Sequence, residues 1–236
     1  MFAKFFKYAS PVWLLVGLSA CGDLKTSSGQ PVSIAASPMA VHTSYFKDKK
    51  SKDFSSLDQS VMKDPNFDAF TIWFFHCFAD FQTEEEKRDD TAGACTVRLK
   101  VKAVQIRLSC PVTIWLAEDA PLLVREHEKG HVYICKRIYE HAPKVARDAA
   151  SSVIGQIYNG MGSTPAAARQ MAIAQAERDI AQIFRDNIVN LGDEISTNYD
   201  QLCYRERGNN PHAEKLQQAL AEKACQRLEE HAGKVL

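Results

Sequence analysis

The first half of the chain has the apolar and polar pattern of β-strands. Residues 70–81 (FTIWFFHCFADF) are dense in aromatic and β-branched side chains, which predicts a largely buried strand. Residues 95–108 alternate between apolar and charged positions, and a slip in phase at Ala103–Val104 predicts a bulge or a bend there. A short strand is predicted at 112–116, and the charged run 83–90 is interpreted as a solvated loop tip.

The second half of the chain changes to the apolar spacing that is typical of helices. Four helices are predicted, over 122–141, 144–158, 163–191 and 211–232. Pro143 separates the first two, Pro165 occupies the first position of the third, and Gly192 ends it. Strands followed by helices predict one α+β domain over 38–236, in which a small N-terminal β-sheet region packs on a helical half.

The composition is that of an ordinary globular protein. Basic and acidic side chains number 29 each, so the formal net charge is zero, and 45% of the residues are hydrophobic. This balance excludes a collagen-like or disordered chain and a strongly basic nucleic-acid binder. No nucleic-acid partner is therefore expected.

The N-terminus resembles a bacterial lipoprotein signal. Two lysines precede a short apolar run, 12–18, which cannot span a bilayer as a mature helix. The run ends in Leu-Ser-Ala-Cys, a quartet that resembles the lipobox, in which the cysteine becomes the lipidated N-terminus. We predict a signal peptide over 1–20, lipidation of Cys21 and a flexible tether over 21–37, rich in Ser, Thr, Gly and Pro. An ordinary secretory signal that contains a cysteine is the alternative.

Lipidation of Cys21 would place the protein in the cell envelope. Cleavage would remove two lysines and no acid, so the mature chain would carry a formal charge of −2 and be anchored by lipid rather than by charge. Gly22 follows the cysteine, where an aspartate would favour retention in the inner membrane of enteric bacteria. For a Gram-negative host, the expected location is the periplasmic face of the outer membrane.

The motif that carries chemistry is H-E-x-G-H at 127–131. On a helix, His127 and His131 lie four positions apart on one face, where two imidazoles can bind one Zn²⁺ at about 2.0–2.1 Å each. Glu128 lies one position round the helix and can act as the general base on a zinc-bound water, whose pKa falls to roughly 7. This arrangement is typical of metallopeptidases.

The residues around the motif favour a metal site over two ordinary core histidines. Leu123, Ile134 and Ile138 share the histidine face, which predicts that this face is buried against the sheet. Burying two imidazoles and a carboxylate together is costly without a metal. Gly130 costs a helix about 1 kcal/mol relative to alanine, which predicts a close neighbour at that position.

The motif does not identify the third metal ligand. A metzincin needs a histidine six residues after the second one, and Arg137 occupies that position. Asp200 is the first choice, as in aspzincins, Glu177 on the next long helix is the second, as in gluzincins, and His212 is the third. Tyr199 is interpreted either as an oxyanion stabiliser or as an ordinary buried tyrosine beside the helix.

Six cysteines remain beyond the lipidated one, and an even number in an exported chain predicts disulfides. They are Cys77, Cys95, Cys110, Cys135, Cys203 and Cys225. Fifteen pairings are possible. A bridge from Cys135 to Cys203 or Cys225 would fix the motif helix against a distant segment. The chain has no C-x-x-C pair, which disfavours a zinc–thiolate cluster.

The order of these parts resembles the bacterial zinc-dependent protease family catalogued as domain of unknown function 922. The aromatic strand 70–81, the alternating strand region 95–116, the H-E-x-G-H helix and the pair Tyr199–Asp200 occupy the places of that family's parts, over about residues 40–210. The resemblance implies a zincin-like fold with a Zn²⁺ cofactor and supports Asp200 as a ligand. The family's late motif is Y-D-x-x-T-x-H-G, and this chain lacks its threonine and histidine.

The sequence therefore predicts a lipid-anchored zinc metallopeptidase that hydrolyses peptide bonds of a peptide or protein substrate in the bacterial cell envelope. The strand before the helix is expected to hold an extended substrate by β-augmentation. Because the late motif is altered, the alternative is a catalytically inactive module on the same fold that binds an envelope partner. A zinc amidase or peptidoglycan hydrolase is a third interpretation.

Overall fold

The computed structural model describes residues 30–47, 68–91, 93–205 and 216–226. Its strands are β1 (Val32–Ala36), β2 (Ala40–Phe46), β3 (Ala69–Trp73), β4 (His76–Thr91), β5 (Ala94–Ser109), β6 (Pro111–Ala117) and β7 (Ile157–Gly162). Its helices are α1 (Leu122–Val153), α2 (Pro165–Phe184), α3 (Asn190–Arg205) and α4 (216–226), and a π-helical turn at Arg185–Val189 joins α2 to α3. The signal peptide, Cys21 and His212 lie outside the described residues.

The strands form two sheets, which confirms the predicted α+β class. The larger sheet has the order β1-β5-β4, and β7 pairs with the part of β5 that β1 leaves open. The smaller sheet has β6 at its centre, with β2 parallel to it and β3 antiparallel. One face of the smaller sheet packs on α1, where Val124 and Val132 contact a cluster of Ala69, Ile114 and Leu116. None of the described helices combines the length and apolar character needed to cross a bilayer.

The predicted strand over 95–108 is confirmed as β5, with its irregularity. Val97, Leu99 and Val101 are buried, as the alternation requires. The pairing with β4 then skips Lys102, which bulges out of the ladder so that two consecutive residues, Ala103 and Val104, are both buried.

The single strand predicted over 70–81 is two strands that belong to different sheets. The chain leaves the smaller sheet after β3, passes through Phe74 and the buried Phe75, and enters the larger sheet as β4. On the neighbouring segment, the buried Cys110 marks the same change of sheet between β5 and β6. A continuous apolar run cannot reveal this break because residues on both sides of it are apolar.

The interpretation of 83–90 as a loop tip is wrong, because these residues continue β4 to a turn at Gly93. The ribbon is held by cross-strand ion pairs on exposed side chains, among them Lys102–Glu84 at 3.1 Å. A strand with polar residues on both faces has no period-2 pattern of hydrophobicity, so hydrophobic patterning does not predict this part of β4.

The predicted helix ends at Pro143 and Gly192 are also wrong. α1 continues through Pro143 because a buried stripe of small residues runs on beyond it, and burial outweighs the roughly 3 kcal/mol cost of proline. α3 contains Gly192, where an added Cβ would lie 3.0 Å from the ring of Phe75. The start of α2 is as predicted, with Pro165 at the first position after the Thr164 cap.

Two further boundaries differ from the sequence predictions. The end of the predicted helix 144–158 is the strand β7, whose Gly160 lies so close to α2 that a Cβ there would meet the Ala168 backbone. β1 lies within the predicted tether 21–37, and it pairs with β5. The folded part therefore begins before residue 38.

Candidate metal centre

The H-E-x-G-H motif lies in the first three turns of α1, as predicted. Arg125 fixes the entry to the helix by donating hydrogen bonds to the backbone carbonyls of Ala120 and Glu118, both at 2.8 Å. Glu128 and His131 are buried, and the His127 side chain is 19% exposed. One edge of the motif is therefore accessible to solvent.

The predicted burial of the histidine face is confirmed at one end of the helix only. Ile134 and Ile138 are buried, whereas Leu123 is 40% exposed. Leu123 lies one turn before His127, and its neighbour Val124 is the residue of that turn that packs on the smaller sheet. The prediction for Leu123 was wrong because helical spacing gives the face on which a residue lies and not how much of that face is covered in each turn.

Asp200 of α3 meets the two histidines and completes a group that could hold a metal ion. Its Oδ1 lies 3.1 Å from His127 Nε2 and 3.1 Å from His131 Nε2. The two Nε2 atoms lie 3.2 Å apart. The three atoms thus form a nearly equilateral triangle, and Asp200, the first choice for the third ligand, is the residue that reaches the histidines.

The chemistry of these atoms fits a cation. Each is a lone-pair donor when the imidazoles are neutral and the carboxylate is ionised, and at most two protons could bridge the three short contacts. A metal ion bonds to all three lone pairs at once. The residues present therefore fit a metal ion as a common ligand.

The charges at the site also prepare it for a cation. Burial lowers the pKa of His131, but the charge of Asp200 and its hydrogen bond to the ring outweigh burial and leave the pKa raised. Burial likewise opposes ionisation of Asp200, and the two histidines overcome it and lower the pKa of the carboxyl to about 2. Asp200 is therefore negative at neutral pH.

Ser196 sets the orientation of the His131 ring. Its Oγ lies 2.8 Å from His131 Nδ1, and it is buried one turn before Asp200 on α3. When Nδ1 donates its proton to Ser196, the lone pair of Nε2 faces the triangle. Trp73, the last residue of β3, stacks on this ring, with centroids 5.9 Å apart.

The Tyr199 ring packs against the imidazole rings of both histidines. It stacks on His127, with centroids 4.9 Å apart and planes at 14°, and it meets the edge of His131. Its hydroxyl faces His127 O at 3.1 Å and Gln217 Oε1 at 2.9 Å, and burial raises its pKa well above the ordinary value. These contacts match the interpretation as a buried tyrosine beside the helix and assign no oxyanion contact to the hydroxyl.

Gly130 provides the space for this tyrosine. A Cβ at position 130 would overlap the Tyr199 hydroxyl and ring. The predicted close neighbour of Gly130 is therefore confirmed, and it is a side chain of the site itself.

Gly130→Ala is expected to destabilise the protein, although alanine is favoured over glycine in a helix by about 1 kcal/mol. Overpacking against Tyr199 costs about 1–3 kcal/mol, which outweighs the gain. Urea unfolding of both forms measures the difference. In a Tyr199→Ala background the same substitution is expected to stabilise, and a stabilising effect in the wild-type background would contradict the account.

Glu128 is held from the smaller sheet. Its Oε2 accepts a hydrogen bond of 2.6 Å from Thr71 Oγ1 on β3. β3 is an edge strand, with β6 as its strand partner in the part of the chain that the structure describes. β6, the strand directly before α1, is the central strand of that sheet and is paired on both sides, so it has no open edge for the predicted β-augmentation. The edge strand beside Glu128 is β3.

The second choice for the third ligand lies elsewhere. Glu177 is a half-buried residue of α2 that faces Asp80 of the larger sheet, and burial and the charge of Asp80 raise its pKa. It is not part of the His127, His131 and Asp200 group.

No disulfide joins the six cysteines, which are all among the described residues and are thiols in the structure. Cys110, Cys135, Cys203 and Cys225 lie in the same core cluster. The predicted disulfide from Cys135 to Cys203 or Cys225 would thus join residues of one cluster. The disulfide itself stays a prediction.

Four residues at the site were not identified from the sequence: Thr71, Trp73, Ser196 and Gln217. Ser196 carries the one signal that could have found it, because it precedes Asp200 by four positions and so shares a helix face with it. That signal was hidden by the interpretation of Gly192 as a helix end. The other three come from distant segments, and no local pattern connects them with the motif.

Comparison with known proteins gives no relative for this chain: no family model matches it, and neither does any curated protein or solved structure.

Proposed function

We propose that the protein is a zinc-dependent metallopeptidase that hydrolyses peptide bonds in the bacterial cell envelope, where the lipid on Cys21 anchors it. The observation that carries this proposal is the convergence of His127 Nε2, His131 Nε2 and Asp200 Oδ1 on one point, with Glu128 beside them on α1. Two histidines and one carboxylate are a donor set that catalytic zinc uses, with a further position left for water or substrate.

The spacing of the three atoms supports zinc. Tetrahedral ligands at about 2.0–2.1 Å from Zn²⁺ lie about 3.3–3.4 Å from one another. The observed separations are 3.1, 3.1 and 3.2 Å, so the triangle needs to expand by only a few tenths of an ångström. The partial exposure of His127 leaves an approach for the substrate.

The chain's own residues supply acid–base chemistry. Zinc, when bound, supplies Lewis acidity that polarises a carbonyl group and lowers the pKa of water. Glu128, held by Thr71, removes a proton from the water that attacks the peptide carbonyl carbon, and it returns the proton to the leaving nitrogen as the C–N bond breaks. Ser196 keeps Nε2 of His131 directed at the metal position.

The edge strand β3 favours a peptide substrate. It contributes Thr71 and Trp73 to the site, and its outer edge is available for pairing in the part of the chain that the structure describes. An extended peptide that pairs with β3 would place its backbone beside Glu128. This argument favours a peptidase over an amidase that acts on the cell-wall cross-links.

Thr71→Val is expected to lower kcat about tenfold and leave zinc affinity unchanged, because it removes one hydrogen bond that orients the base. Steady-state kinetics on a cleaved fluorogenic peptide, with zinc content measured in parallel, test this. Thr43→Val is the matched control, since Thr43 occupies the same row of the sheet two strands away. Equal kinetic effects of the two substitutions would refute the role given to Thr71.

The alternative is an inactive envelope module on the same scaffold. Cys203 stands where the resembled family's late motif has threonine, and it is a buried thiol that donates to Gln217 Oε1 at 3.0 Å. A zinc-loaded protein that cleaves no member of a peptide library would support the module.

Zymography on casein and on murein separates the peptidase from a peptidoglycan hydrolase.

A further inference from the structure

The helix α4 contacts Tyr199, which packs against the two histidines, through one buried polar side chain. Gln217 is a buried residue of the described part of α4. Its Oε1 lies 2.9 Å from the Tyr199 hydroxyl and 3.0 Å from Cys203 Sγ, and both groups donate to it. Through Gln217, α4 thus makes a polar contact with Tyr199, the residue whose ring stacks on His127.

The hydrogen-bond donors and acceptors around the Tyr199 hydroxyl indicate the role of Gln217. The Tyr199 hydroxyl has one hydrogen and two acceptors in reach, His127 O at 3.1 Å and Gln217 Oε1 at 2.9 Å. His127 O also accepts the helical hydrogen bond at its position in α1, and Gln217 Oε1 also accepts from Cys203, so each oxygen has one lone pair left for the phenol. Gln217 Oε1 is the closer of the two acceptors. The amide oxygen therefore fixes the depth at which the phenol lies beside α1.

The position of the phenol decides the orientation of a metal ligand. The Tyr199 ring stacks on the His127 imidazole at 14°, and the terminal torsion of a histidine is otherwise broad. The described contacts of His131 include Ser196 at Nδ1 and stacking by Trp73, whereas for His127 they are the Tyr199 stack and the triangle itself. Tyr199 is thus the group that aligns His127.

We propose that Gln217 is a positioning residue of the metal centre: it holds Tyr199 against His127, so that docking of α4 and metal affinity are coupled. The proposal rests on the metal site of the proposed function. Coupling is reciprocal, so bound zinc stabilises the docked α4 by the same factor by which docked α4 strengthens zinc binding.

The test is a double-mutant cycle on zinc affinity. Gln217→Met keeps the shape of the side chain and removes the acceptor, and Tyr199→Phe removes the donor and keeps the ring. Each is expected to raise the zinc Kd about tenfold, the lower end of the range for groups that orient a ligand, and the double variant no further. Gln218→Met is the matched control, because Gln218 is the exposed neighbour on the same helix.

Zinc Kd is measured by chelator competition, and the visible spectrum of the Co²⁺-loaded protein reports the coordination geometry of the metal separately from fold stability. A changed Co²⁺ spectrum in Gln217→Met, with Gln218→Met as wild type, supports the proposal. Folded Gln217→Met with wild-type Kd and spectrum overturns it, and if that variant fails to fold, the same result for Tyr199→Phe overturns it. A wild-type chain that binds no zinc overturns the proposed function as well.

Discussion

Glu128→Gln is expected to lower kcat by a factor of about 10²–10⁴ and to leave one zinc per chain in place. The amide has the size of the carboxylate and can still accept the hydrogen bond from Thr71, so the site keeps its shape. It has no basic oxygen that can take a proton from water. Glu128 is not among the three converging ligand atoms, so metal binding does not depend on it.

Kinetics on a cleaved peptide and metal analysis of the same preparation measure both parts of this expectation. Glu126→Gln is the matched control, because Glu126 is a second buried glutamate two positions earlier on α1, where it pairs with Lys129 at 2.6 Å. Zinc loss in Glu128→Gln would make Glu128 a ligand, and full activity would remove it from the chemistry.

Asp200→Ala is expected to weaken zinc binding by more than about 100-fold, beyond the range that outer-shell changes produce. The substitution removes one of three protein ligands and the negative charge that a pKa of about 2 keeps in place at neutral pH. Two imidazoles on one helix would remain. Chelator competition gives the ratio of the two dissociation constants.

Glu177→Ala is the control for this experiment, since Glu177 was the other carboxylate that the sequence offered as third ligand. Because Glu177 lies beside Asp80 of the larger sheet, the Glu177→Ala variant is expected to bind zinc with wild-type affinity. Retention of zinc by Asp200→Ala together with loss of zinc in Glu177→Ala would reverse the assignment of the third ligand.

The fold could be predicted from the sequence wherever burial on one face creates a period. β5 has such a period, and so do the turns of α1 that carry the motif. The errors have physical causes. The outer half of β4 has ion pairs in place of an apolar face, and α1 passes Pro143 because tertiary burial beyond it outweighs the local cost. β7 was missed because its glycines serve a close approach to α2.

The site could be predicted as far as local spacing reaches. His127, Glu128 and His131 follow from positions on one helix. The sequence contains no geometric argument for Asp200 over Glu177, because the contact joins His131 to a residue of another helix 69 positions later. Thr71 and Gln217 are not identified from the sequence for the same reason, because their partners lie 57 and 18 residues away. Hydrogen bonds of this kind leave no periodic signal.

The central claim is that α1 and α3 bind one zinc ion, and metal content per chain tests it most directly. Mass spectrometry of the purified wild-type protein is expected to give one equivalent of zinc, and the folded His131→Ala variant none. A folded wild-type chain that holds no zinc even after zinc is added would contradict the claim. His127 and His131 would then be core histidines in an ion pair with Asp200, and the peptidase proposal would fall.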